Sequence, residues 1–373
     1  MRPLRLQVVF ALLMSATTVQ AGVLNVPSDY VDLKTALAAA GKCDTILLDS
    51  GTYSGTGFRE LPINDSICVT VTSRYGASFT TIDLQNGVFL SRSFQGPHNQ
   101  ISAVGLTLAN GWPAIRYRRG DQYDVRECIF LQCQVGVEAG DYAGDYRGVT
   151  ACQFRNCAFG IIGLTNASMK VSFCQFYNCD AGIATGNFPY MEVTNCTFIN
   201  NHEGVWLHSA CCIRMSANAF HGNWYGLFTD GQSGDLFGIF SCNNVFGNTW
   251  NYWGPPDQTG SNGNFSADPL YCDTANGRLT LTLRSPLLSA NNSCHQLIGQ
   301  TATIACDCGD VDVSGNVDIS DVTALISYLF LGGPPPVPLE AAEVDPSPGI
   351  DISDLTYLID HLFIRVLPVP CGG

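Results

Sequence analysis

One pattern recurs through the middle of this 373-residue chain and limits what it can become. It reads Cys128-Ile-Phe130-Leu-Gln-Cys133, then Cys152-Gln-Phe154-Arg-Asn-Cys157, Cys174-Gln-Phe176-Tyr-Asn-Cys179 and Cys196-Thr-Phe198-Ile-Asn-Asn201. It continues as Asn218-Ala-Phe220-His-Gly-Asn223 and, more loosely, around Phe246. The phenylalanines step by 24, 22, 22, 22 and 26 residues, and 22 residues before Phe130 stands Leu108. Each unit places glycine three residues after its second Cys or Asn, followed by an apolar residue: Gly136-Val137, Gly160-Ile161, Gly182-Ile183, Gly204-Val205 and Gly226-Leu227. A third apolar position, Val125, Val149, Val171, Val193 and Met215, precedes the first Cys or Asn. Three short β-prone segments per unit cannot bury their apolar faces singly, but stacking unit on unit buries them all.

The spacing is that of a right-handed parallel β-helix, with three strands per coil and like residues stacked about 4.8 Å apart. A helical repeat would need long runs of helix formers, whereas these units are rich in Gly, Asn, Thr and aromatic residues. Over residues 23–300 the chain resembles the right-handed β-helix family, which includes pectate-lyase-like and NosD-like repeat proteins. The resemblance implies a capping helix within residues 29–40, after Val26-Pro27-Ser28, and coiling from Thr45-Ile-Leu-Leu48 and Gly51-Thr-Tyr53. It also implies an ending motif at Asn251-Tyr-Trp-Gly-Pro-Pro256, followed by Ala267-Asp-Pro-Leu270. Caps matter because an open solenoid end exposes strand edges.

Arg2 and Arg5 precede an apolar run from Leu6 to Met14, and Val19-Gln20-Ala21 places small residues before Gly22, so residues 1–21 read as a secretion signal. That run is too short to span a bilayer, and no later stretch approaches the roughly 20 apolar residues of a membrane helix. The expected location is extracellular, secreted or held at the cell surface. Export suits the 17 cysteines, whose odd number leaves at least one free or paired between chains. The columns Cys128, Cys152, Cys174 and Cys133, Cys157, Cys179 are expected as buried thiols. Cys43 with Cys68, and Cys272 with Cys294, are the expected disulfides near the two caps. With 18 bases against 32 acids and a net charge of −14, nucleic acid is not an expected partner.

After Ile304 the composition changes. Residues 307–373 hold eleven acids and one base, Arg365. Within them Asp310, Asp312, Ser314, Asn316, Asp318 and Asp321 occupy positions 1, 3, 5, 7, 9 and 12 of a twelve-residue loop, the ligand positions of an EF-hand loop for Ca²⁺, with Gly315 at its sharp turn. Val322, Leu325, Ile326, Leu329 and Phe330 follow as one apolar helical stripe. Thirty-three residues on, Glu343, Asp345, Ser347, Gly349, Asp351 and Asp354 repeat the loop, and Leu355, Leu358, Ile359, Leu362 and Phe363 repeat the stripe. So many carboxylates would repel one another unless a cation neutralised them. A duplicated calcium loop, each copy followed by a single helix, resembles a dockerin, the module that plugs secreted proteins into cohesins. The resemblance implies one or two Ca²⁺ ions, a cohesin-like scaffold as partner, and Ile319, Ser320, Ile352 and Ser353 facing it. The second loop departs from the pattern, with Glu343 in place of the first Asp and Pro348 in place of the turn glycine. Cys306 or Cys308, together with Cys371, is positioned to staple the module's ends. The expected domains are therefore 1–21, a signal peptide; 22–305, the β-helix; and 306–373, the calcium-binding module.

On the solenoid, the segments between the Gly-apolar strand and the next valine vary most, and variable loops on a rigid stack commonly carry function. Asp121 and Asp145 each sit four residues before their coil's valine and are expected to stack, with Arg118, Arg119 or Arg147 nearby, as a candidate cation site or acid and base pair. Gly-Asp is also ordinary turn chemistry, and that reading is favoured over catalysis. The polygalacturonase signatures Asn-Thr-Asp, Asp-Asp and Gly-His-Gly are absent. Tyr117, Tyr123, Tyr142, Tyr146, Phe188, Tyr190 and Trp206 are candidate rings for stacking on sugars. His202-Glu203 with His208 lacks the spacing of a helical zinc motif and is assigned no metal. Three readings follow: polysaccharide or partner binding with a docking tail, a polysaccharide lyase or glycoside hydrolase, and a structural surface component.

Overall fold

The computed structural model describes residues 21–365 apart from 62–67, 91–99, 118–121, 141–147, 165–167, 187–189, 209–212, 231–236, 274–277, 282–284, 301–307, 337–338 and the single positions 313, 315, 346 and 348. The described residues form a right-handed parallel β-solenoid whose three sheets hold ten, nine and seven strands. The chain visits the sheets in turn, so neighbours within a sheet come from successive coils. The first sheet aligns Val125, Val149, Val171, Val193 and Met215. The second aligns Leu108, Phe130, Phe154, Phe176, Phe198 and Phe220, and the third Val137, Ile161, Ile183, Val205 and Leu227. Every one of these side chains is buried. The register departs from expectation at the last ring. Val245, not Phe246, pairs with Phe220, while Phe246 pairs with His221 and stacks on it. The insertion that lengthens this unit precedes the strand, so aligning on the aromatic residue put Phe246 one position out and on the wrong face.

From Phe130 to Phe220 the rings form a continuous stack, with centroids 4.6, 4.8, 4.7 and 4.7 Å apart and planes within 6° of parallel. This is the strand separation expressed through side chains. The repeated glycine follows from it. A Cβ at Gly160 would lie 2.5 Å from the Gly182 carbonyl oxygen and 2.6 Å from the Phe176 ring, so the third sheet closes onto the rings only where no side chain intervenes.

Two inward ladders hold the turns between sheets. Cys128, Cys152, Cys174 and Cys196 are buried at the first turn, and Asn218, Asn243 and Asn264 continue their column. At the second turn Cys133, Cys157 and Cys179 give way to Asn201, Asn223 and Asn248. Thiol and carboxamide do the same work: Cys174 Sγ donates to the Val149 carbonyl of the preceding coil at 3.5 Å, and Asn218 Nδ2 donates to that of Val193 at 3.0 Å. Asparagine adds an acceptor, since Asn218 Oδ1 receives the Cys196 N–H at 2.9 Å. Burial pushes the Cys128, Cys152 and Cys174 thiols well above the ordinary thiol range, so they stay protonated donors.

Both expected cap disulfides are corrected. Cys43 is a free, exposed thiol. Because Thr45 pairs with Thr70, Cys43 and Cys68 lie at equivalent positions of adjacent coils, where side chains run alongside one another rather than converging. Cys294 bonds to Cys242 instead of Cys272. Residues 285–299 lie across the outer side of the second sheet, where the Asn195 carboxamide donates to the Leu297 carbonyl and Gly299 N–H to that of Ala217, both at 2.7 Å. This crossing brings Cys294 to the turn that holds Cys242.

At the first coil, helix α1 (Leu33–Ala39) starts from Asp32, which forms a capping box with Thr35, and buries Leu33, Ala36 and Leu37 in the solenoid core. The C-terminal residues have a separate core of Val311, Val322, Leu325, Ala342, Val344, Leu355 and Leu358. It is built on α2 (Ile319–Leu331) and α3 (Ile352–Asp360). Phe330 and Phe363, placed on the apolar stripes by spacing, are 58% and 61% exposed. Phe330 falls in the last turn of α2, and Phe363 lies beyond α3 in a wider turn over His361–Arg365, so both overrun the buried face. Cys308 is disulfide-bonded, whereas Cys306 and Cys371 lie outside the described residues. No helix among the described residues is long and apolar enough to cross a membrane.

Candidate functional site

Along the third sheet two outward columns flank the buried apolar one. Strand register aligns Arg116, Glu138, Ile162, Ala184, Trp206, Phe228 and Trp253 in one. Val135, Phe159, Ala181, Glu203, Tyr225 and Trp250 align in the other. At its N-terminal end this face is closed by the Arg116–Glu138 ion pair at 2.6 Å. Toward the C-terminal end it becomes aromatic. Tyr225 lies 5.0 Å from Phe228 and 5.8 Å from Trp253, Trp250 lies 4.9 Å from Trp253, and Trp206 lies 6.1 Å from Phe228. In the preceding turn the His202 and Trp224 rings are parallel at 6.3 Å. Trp224, Trp250 and Trp253 remain 51%, 46% and 43% exposed, a large open aromatic surface.

Two imidazole–carboxylate pairs frame the rings. His202 Nδ1 meets Glu203 Oε1 at 2.6 Å where the strand Glu203–Leu207 begins, and His208 Nδ1 meets Asp230 Oδ1 at 2.9 Å just beyond its end. The Trp206 indole N–H is buried and has no hydrogen-bond partner among the described residues. Flat apolar rings interleaved with carboxylate acceptors can meet both the C–H faces and the hydroxyl groups of a sugar.

The sequence-derived candidates do not assemble into one surface. Trp206 joins the aromatic face. Tyr117, expected as an exposed ring, is 4% exposed, because its register with Ala139 puts it in an inward column. Tyr190 is exposed on the first sheet, under the Arg214 guanidinium at 5.2 Å. Asp121, Asp145, Arg118, Arg119, Arg147, Tyr142, Tyr146 and Phe188 lie outside the described residues, as does the Tyr123 side chain. Sequence reading missed Trp224, Tyr225, Phe228, Trp250 and Trp253. The signal was available: the residue before each repeat glycine and the residue after the apolar position both become aromatic in the last coils.

In the C-terminal module, carboxylate oxygens of Asp310, Asp312 and Asp321 lie within 4.8 Å of one another. Asp321 is fully buried and Asp310 nearly so, and burial pushes the Asp321 carboxyl above the usual range even though the Asp318 and Asp312 N–H groups donate to it. Such a group of oxygens in a module with one base suits a hard divalent cation. Ser314 N–H donates to both Asp310 and Asp312, and its hydroxyl donates to the Asn316 carbonyl at 3.2 Å. Asp318 and Asp351 cap α2 and α3 through the Ser320 and Ser353 N–H groups. In the second loop the Glu343 carboxylate accepts the Gly349 N–H at 2.8 Å, Asp345 accepts from Ser347, and Asp354 accepts from Val344, Asp345 and Asp351. Among the described residues, three acids converge only in the first loop. Ile319 and Ile352 open the helices, each 63% exposed, with Ser320 and Ser353 half-buried beside them.

Residues 86–246 match the family model described as the right handed beta helix region. The match spans the coils that carry the phenylalanine stack and stops before the C-terminal module. No curated protein matches the chain.

Proposed function

We propose that this is an exported β-helix protein that binds polysaccharide on the aromatic face of its third sheet and attaches to a cohesin-type scaffold through a calcium-binding, dockerin-like tail. The observation that carries the reading is the cluster of half-exposed tryptophans, Trp224, Trp250 and Trp253, framed by Glu203 and Asp230. Rings left open in this way, among hydrogen-bonding groups, favour a ligand with apolar faces and polar edges. The twelve-residue spacing and the convergence of Asp310, Asp312 and Asp321 support Ca²⁺ in the first loop, with Ser314, Asn316 and Asp318 completing its set and Glu343, Asp345, Ser347, Gly349, Asp351 and Asp354 forming the second. The ion would neutralise the buried carboxylates. Ile319, Ser320, Ile352 and Ser353 would face the scaffold. The signal-like residues 1–21 support export.

The full chain, incubated with a panel of polysaccharides while bound protein and released product are followed together, tests this reading. Saturable binding without product is expected. Product release would replace binding with lyase or hydrolase chemistry, and neither binding nor turnover would leave a structural surface component and overturn the proposal.

A further inference from the structure

Resting on that glycan-binding reading, we infer that the aromatic face takes a neutral polysaccharide and rejects polyuronates. Charge decides it. Residues 175–277 contain eight acids and a single base, Arg214. That base sits on the first sheet over Tyr190, away from the rings of the third. The polar groups beside the rings are Glu203 and Asp230, each paired with a histidine and neither with Lys or Arg, while the face's own guanidinium, Arg116, stands four coils before Trp206 and is held by Glu138. A polyuronate carries a carboxylate on every sugar and is recognised through guanidinium or ammonium groups, or through a bridging cation. Among the described residues neither stands beside the rings: Arg116 is taken up by Glu138 at the far end of the face, and the one group of three or more converging acids, cysteines or histidines is in the C-terminal module. Bringing a polyanion against Glu203 and Asp230 would instead oppose like charges.

A neutral chain meets no such penalty. Its hydroxyl groups donate to the Glu203 and Asp230 carboxylates, while its C–H faces rest on Trp224, Trp250 and Trp253. The ring planes are inclined, at 70° between Trp250 and Trp253 and 57° between Tyr225 and Trp253, so they present facets to a thick chain rather than one flat platform.

Calorimetry on the full chain would compare neutral gluco-, xylo- and manno-oligosaccharides with oligogalacturonate, at low and high salt and with and without chelator. The expected result is binding of a neutral series that is insensitive to salt, weakened about tenfold or more by Trp224→Ala or Trp253→Ala, with no oligogalacturonate binding. These side chains are outside the core, so the variants should retain the parent's circular dichroism. Oligogalacturonate binding that falls with salt or chelator would overturn the neutral specificity and leave the glycan reading standing. Neutral binding untouched by both variants would overturn the site. Binding of neither class would overturn the glycan reading itself.

Discussion

The exchange of cysteine for asparagine along the turn ladders is a matter of hydrogen bonds rather than redox chemistry. Asn201 Nδ2 donates to the Phe176 carbonyl at 3.0 Å and Asn201 Oδ1 accepts the Cys179 N–H at 2.9 Å, both fully buried. Asn201→Leu should cost about 1–3 kcal/mol for each group left unsatisfied, and Asn201→Cys clearly less, because a thiol reaches the same carbonyl in the coils before it. Urea denaturation of the two variants checks the order; equal losses would show that the ladder acts only by filling space. His221 carries a second residue-scale consequence. Burial holds it below the ordinary histidine range, against the opposing pull of Asp268. Its unfolded form therefore binds protons more readily, so its contribution is complete above about pH 6.5 and is lost as pH falls through the folded value. The melting temperature should drop on acidification through this window, and His221→Phe should flatten that dependence. A parent with no such dependence would show that His221 is no more buried when folded than when unfolded. The inward residues were legible because identical side chains recur at one spacing. Phe246 was not, because a longer loop moved the aromatic residue by one position and reversed its face.

Among the elements, the third sheet was predictable as a strand and obscure as a surface. Its inward glycine and apolar positions repeat in every coil, whereas its outward residues run from Arg116–Glu138 to Trp250 and Trp253 and have no repeat to reveal them. The strap over the second sheet was invisible for a different reason. It is irregular backbone, and its pairing of Cys294 with Cys242 depends on a crossing that no periodicity encodes. The acidic loops stood out because the spacing expected of a calcium loop is short-range; the structure uses two of the expected ligands, Asp318 and Asp351, as helix caps. Calcium titrated calorimetrically into the full chain should bind, and Asp312→Ala or Asp321→Ala should remove the tighter event. If Glu343→Ala removed it and the first-loop variants did not, the assignment of the stronger site to Asp310, Asp312 and Asp321 would be wrong.

At the scale of the whole molecule, charge is distributed unevenly in a way that no single coil shows. The last coils, which carry the rings, are acidic and nearly free of bases, and the C-terminal module adds eleven acids in 307–373. A solenoid allows this because each coil contacts only its neighbours, so outward residues change from coil to coil while the core stays the same. The proposed binding is thereby confined to one end of one face. Radical footprinting of aromatic side chains on the full chain, with and without a saturating neutral oligosaccharide, tests this most directly, because Trp112, 63% exposed at the same turn as Trp224 but five coils before it, serves as an internal control. Protection should fall on Trp224, Tyr225, Trp250 and Trp253, with Trp112 and Tyr190 unchanged; protection at Trp112 or Tyr190 in their place, or at none of these rings under saturation, would contradict it.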